Sequence, residues 1–165
     1  MKKTNDLPEV NKEKAKKENT TKNEFYQAIG RRREACARVR LYVVKKESID
    51  INGKIYKAGE IIVNGRSVEN YFPGAVYRKH YLEPFVTVNS INRFVTTAVI
   101  SGGGLSGQLQ AFMHGVSRAI ESIDKEKYRA LLKRKGFLSR DQRAKERRKA
   151  GYAQKARSRK QSPKR

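Results

Sequence analysis

Three groups of residues in this 165-residue chain have types and spacing that could do chemistry. Residues 102–107 read GGGLSG. They fit G-x-G-x-x-G, a spacing that lets backbone amides approach a phosphate at a helix N-terminus. Residues 30–40 read GRRREACARVR. They place Arg31, Arg32 and Arg33 ahead of a strand and Arg38 and Arg40 on one face of it, because alternate strand residues project to the same side. The third group is Cys36, the single cysteine, with the two histidines His80 and His114.

The third group excludes more than it supports. One cysteine cannot close an intramolecular disulfide, and with two histidines it falls short of a zinc-finger ligand set. No His-Asp or His-Asn partnership surrounds Cys36, which reads as a small buried strand residue. Neither histidine has a nucleophile or paired carboxylate beside it, so no catalytic residues, metal or cofactor are expected. His114 reads as a packing or RNA-facing residue.

The glycine stretch lacks the rest of a dinucleotide site, which needs a further parallel strand carrying an acid at its end. Here Glu121 and Asp124 fall in or just after the next helical segment, and helix and basic tail follow. Gly102, Gly103 and Gly104 therefore read as a strand-to-helix turn or as a loop touching a nucleic-acid backbone. Guanidinium forks suit bidentate phosphate contact, which makes Arg31, Arg32, Arg33, Arg38 and Arg40 candidate phosphate ligands.

The partner is set by charge. There are 39 Lys and Arg against 16 Asp and Glu, a net charge of +23, and self-repulsion on that scale calls for a polyanion. The charge is unevenly placed. Residues 1–24 hold seven Lys and five acids and read as disordered low complexity. Residues 25–132 contain nearly all the Val, Ile, Phe and Tyr and form the foldable domain. Residues 133–165 carry fifteen bases against Asp141 and Glu146, with almost no large apolar side chain after Leu138. Such a tail orders only on an anionic partner, making Arg140, Arg143, Arg147, Arg148, Lys149, Lys155 and Arg157 candidate RNA contacts. No apolar run is long enough to span a membrane or to resemble a signal peptide, so a protein that stays inside the cell is expected.

The elements that must position these groups follow from pattern. Residues 35–45 predict a strand. Asn52-Gly53 and Asn64-Gly65 predict hairpin turns between short Ile and Val runs. Ser67 predicts the cap of a short helix through Tyr71, and residues 75–82 a second short helix before Pro84. Residues 85–88 and 93–101 predict strands, the latter β-branched enough to be central. Leu109, Phe112, Met113, Val116, Ile120 and Ile123 recur at helical spacing, predicting an amphipathic helix over 107–124 with Ser106 as its cap. Asp124 starts a further helix that Gly136 ends. Strands first and helices late give an α+β class in a single domain.

Several blocks, in this order, resemble one known family: FYQAIGRRREACARV (25–39), IVNGRSVENYF (62–72), SGGGLSGQLQAFMHGVSRAI (101–120), GFLSRDQRAKERRKAG (136–151) and KARSRKQSPKR (155–165). The family is the ninth-numbered small-subunit ribosomal protein, in its bacterial or organellar form. The resemblance implies a mixed sheet backed by helices with a left-handed β-α-β crossover, against the usual hand. It implies a structural, non-enzymatic, ribosome-bound role in the cytoplasm or an organelle. Its partners would be small-subunit ribosomal RNA of the head, neighbouring head proteins and the peptidyl-site tRNA, with Lys164 and Arg165 nearest the tRNA. Residues 46–60 depart from the family as an added hairpin. The ending Gln161-Ser162-Pro163-Lys164-Arg165 departs in lacking the family's aromatic. Two other classes share the charge and the glycines: an architectural DNA-binding protein and a nucleotide-dependent enzyme.

Overall fold

The computed structural model describes residues 24–44, 47–51 and 53–157. The expectations for residues 1–23 and for Lys164 and Arg165 lie outside them. The chain begins with β1 (Phe25–Arg32) and β2 (Ala35–Val43), paired antiparallel. A second hairpin follows, β3 (Ser48–Ile51) with β4 (Lys54–Lys57), then β5 (Ile61–Val63) and β6 (Arg66–Ser67). Next come α1 (Val68–Tyr71), α2 (Ala75–Thr87), β7 (Phe94–Ser101), α3 (Leu105–Ile123) and α4 (Lys125–Arg134). The main sheet runs β1-β2-β7-β5-β6, with β5 parallel to β7 and the other neighbours antiparallel, so it is mixed and the class is α+β.

Local chemistry explains the boundaries. Asn64 (φ 50°) and Gly65 (φ 77°) both occupy the left-handed region that a tight two-residue hairpin requires. The Asp124 side chain accepts from the Lys127 N–H at the start of α4. At its end the Gly136 N–H donates to the Lys133 carbonyl and the Phe137 N–H to the Leu132 carbonyl, closing the last turn.

α3 lies on one face of β1 and β2, where Leu109, Phe112, Val116 and Ile120 are buried with Val39, Leu41, Phe72, Phe94 and Leu132. The opposite face is half covered. The β3–β4 hairpin expected within 46–60 brings Ile51, with Ile49 and Tyr56, onto Tyr42, Ile62 and Val95 as a separate small core.

Three elements differ from the pattern reading. β1 has no counterpart in the pattern reading: in FYQAIGRR, Gly30 and the paired arginines mask a strand whose inward Ala28 and Gly30 are small because α3 lies directly on them. Residues 85–88 are not a strand. α2 continues through Pro84 to Thr87, because Tyr81, Pro84 and Phe85 are buried together and that packing outweighs the lost backbone hydrogen bond. α3 starts two residues earlier than expected, with Gly104 rather than Ser106 at its N-cap.

Candidate nucleic-acid interface

Strand alternation sorts the arginine run onto two faces. Pairing places Arg31 opposite Cys36, Ile29 opposite Arg38, and Gln27 opposite Arg40, while β7 contributes Ser101, Val99 and Thr97 to the same rows. This is the face away from α3. Arg31, Arg38, Ile29 and Val99 are exposed on it. No carboxylate stands in those rows.

Arg40 is held more firmly than its neighbours. Its Nε donates to Gln27 Oε1 at 3.1 Å and its guanidinium lies 5.0 Å from the Phe25 ring centroid. Arg33 sits in the β1–β2 turn with φ 50° and is exposed. Cys36 is half-buried among these residues rather than fully buried as expected.

Arg32 points the other way and departs from the sequence expectation. It is 8% exposed, and its guanidinium is engaged within the chain. Nε donates to Gln110 Oε1 at 2.6 Å, one terminal nitrogen donates to the Arg143 carbonyl at 3.2 Å, and the other pairs with Asp141 Oδ2 at 2.7 Å. A phosphate could reach that group only by displacing these partners.

The glycine loop is a tight join. A Cβ on Gly102 would overlap the Glu34 carbonyl oxygen, and one on Gly103 would come within 3.1 Å of the Ala35 Cβ; both residues have positive φ. Gly104 has open space around it and begins α3. A chain of hydrogen bonds that the sequence reading missed fixes the loop. Asn64 Nδ2 donates to the Ile100 carbonyl and Asn64 Oδ1 accepts the Ile100 N–H, both at 2.9 Å. Asn64 Nδ2 also reaches Tyr71 Oη, which donates to Gln108 Oε1, and Gln108 Nε2 donates to the Gly102 carbonyl. The only sequence sign was Asn64 in a turn. α3 is followed by α4, not by the parallel strand a dinucleotide site requires.

The basic segment beyond α4 begins on the body, where Phe137 and Leu138 pack against the main core. Asp141 and Arg143 form a two-pronged pair, and the guanidinium beside it holds the Asp141 carboxyl well below the usual carboxylate range. Arg157 pairs with Glu146, lowering that carboxyl's pKa in the same way. Arg140, Arg147, Arg148, Lys149 and Lys155 are exposed, and the Lys149 N–H donates to the Lys155 carbonyl across a turn. His114 is half-buried beside this segment. Its Nδ1 accepts the Arg31 N–H at 3.3 Å, and burial, followed by the Arg118 charge, pushes its pKa down.

Among the described residues, no three His, Cys, Asp or Glu side chains gather as metal ligands, and no helix is long and apolar enough to cross a membrane.

Comparison with known proteins identifies the family of the sequence. The family model described as ribosomal protein S9/S16 matches residues 30–165. The small ribosomal subunit protein uS9 of Pseudarthrobacter chlorophenolicus is 41% identical over 138 residues, covering 84% of this chain and 74% of the relative. The uS9 proteins of Cutibacterium acnes and Leifsonia xyli subsp. xyli are each 41% identical over 124 residues, covering 75% of this chain. The chain spans 64% of the former's length and 66% of the latter's.

Proposed function

The chain belongs to the ribosomal protein S9/S16 family, and from that premise we propose that it binds small-subunit ribosomal RNA of the head and carries its C-terminal tail toward the peptidyl-site tRNA. Its role is that of a structural, non-enzymatic constituent of the small ribosomal subunit.

The observation that carries the RNA reading is the open sheet face, where Arg31, Arg38 and Arg40 project together from rows without a carboxylate. Such contacts position a protein on phosphates without reading bases, so specificity comes from the shape of the folded RNA. The exposed bases Arg140, Arg147, Arg148, Lys149 and Lys155 add a second group of cations beyond α4, and Arg33 and Gly104 are exposed as well. The tRNA contact through Lys164 and Arg165, and contacts with neighbouring head proteins, are supported by the family resemblance.

Co-sedimentation of the purified full-length chain with small-subunit particles lacking this protein tests the reading. Stoichiometric uptake that outcompetes duplex DNA at matched salt is expected. Equal affinity for DNA would favour an architectural DNA-binding role and overturn it.

A further inference from the structure

We infer that Arg32 is not a phosphate ligand but the latch that fixes the root of the basic tail against the body, and that Asp141 is its catch. The inference rests on the RNA-binding reading only for its functional consequence; the latch itself belongs to the free protein.

The geometry is specific to this arginine. Arg31 and Arg32 are adjacent in β1, so alternation sends the first to the open face and the second to the α3 side. There Arg32 joins three parts of the fold: its own strand, Gln110 of α3, and the segment after α4 through the Asp141 carboxylate and the Arg143 carbonyl. A lysine has no planar fork to serve three acceptors at once. Asp141 then grips Arg143 through both oxygens, so the tail's first bases are aimed by a chain running Arg32, Asp141, Arg143. Phe137 and Leu138 pack on the core just before the latch.

The consequence is a reversal of sign. Asp141 is one of two acids among the seventeen charged residues of 133–165. By charge alone, Asp141→Ala should tighten RNA binding: it removes a carboxylate and frees the Arg143 guanidinium. If Asp141 holds the tail root in place, the same change makes binding re-order that segment. Ordering each residue anew weakens binding by roughly five- to thirty-fold.

The test uses the full chain and a transcript of the small-subunit ribosomal RNA. Asp141→Ala is expected to weaken binding about ten-fold or more, and to add no further loss in an Arg32→Gln background. In the free protein, amides 139–143 are expected to exchange at least about ten-fold faster in Asp141→Ala while those of α3 keep their protection. Tighter or unchanged RNA binding by Asp141→Ala overturns the positioning role, and unchanged exchange at 139–143 overturns the latch. Asp141 lies near the surface, so its variant keeps the test decisive should Arg32→Gln not fold. Failure of the unaltered chain to bind the transcript would instead sink the RNA-binding reading, and the exchange measurement would still judge the latch.

Discussion

Gly30 of β1 and Gly115 of α3 bring strand and helix into backbone contact. A Cβ on Gly30 would overlap the Ala111 carbonyl oxygen and the Gly115 nitrogen, and one on Gly115 would lie 2.8 Å from Val39 Cγ2 and 3.1 Å from the Gly30 nitrogen. Backbone obstacles cannot rotate away. Gly30→Ala should therefore cost about 3 kcal/mol or more, above the usual range for an added methyl. Gly115→Ala meets first a side chain and recovers about 1 kcal/mol of helix propensity, so its net cost should be clearly smaller. Urea unfolding of both variants checks the order; equal midpoints would contradict the close approach of the two backbones.

Asn64 extends the β5–β7 ladder with its side chain and starts the hydrogen-bond chain that ends on the Gly102 carbonyl. Asn64→Ala loses both bonds to Ile100 and places alanine at φ 50°, a loss of about 2 to 4 kcal/mol. Asn64→Gly keeps the turn and gives up only the bonds, about 1 to 2 kcal/mol. A glycine variant as damaged as the alanine one would mean that backbone strain contributes nothing here.

These two sites mark where the sequence was legible. α3, the central β7 and the Asn64-Gly65 turn follow from period and turn chemistry, because each signal is local and nothing in the tertiary structure opposes it. β1 and the length of α2 were hidden because packing reversed the local signal: Gly30 lowers strand propensity yet is required by α3, and Pro84 sits inside a helix held by buried neighbours. The arginine run was readable as cationic, but the separation of Arg32 from Arg31 was not. That separation needs β1 to be known as a strand and its register against β2 to be fixed.

His114 makes stability depend on pH. Burial, followed by the Arg118 charge, lowers its folded pKa from an ordinary value of 6.5, so the unfolded chain binds the proton more readily. Stability is then full above about 6.5 and falls as pH drops toward the folded pKa. The charged ring also loses the acceptor that the Arg31 N–H uses. His114→Gln should flatten this part of the stability profile, measured by thermal melts between about pH 5 and 7.5; an unchanged slope would remove His114 as its origin.

Arg38 and Arg40 stand on the open face and carry none of the buried packing around α3. Replacing each by Gln should leave the melting temperature nearly unchanged. The logarithmic salt dependence of RNA binding should shrink by about 0.7 to 0.9 for each phosphate that is no longer neutralised. Arg40→Gln also gives up the cation–π interaction with Phe25 and the Gln27 bond, so a small stability loss is expected there and not at Arg38. Salt titrations of each variant decide this, and an unaltered slope in both would place the RNA elsewhere.

The last five residues, Gln161-Ser162-Pro163-Lys164-Arg165, follow a body whose core closes by Leu138. Their removal should leave uptake into small-subunit particles nearly intact, because the sheet face and the bases from Arg140 to Arg157 remain. It should weaken retention of tRNA at the peptidyl site. The sequence there has no aromatic to stack on a base and Pro163 supplies no N–H donor, so charge is what Lys164 and Arg165 bring. The double replacement Lys164→Gln and Arg165→Gln should therefore reproduce the deletion, and the shortfall in tRNA relative to the intact chain should narrow as salt rises. Filter retention of tRNA on the three kinds of particle measures this; equal retention by all three would show that the tail's end does not meet the tRNA.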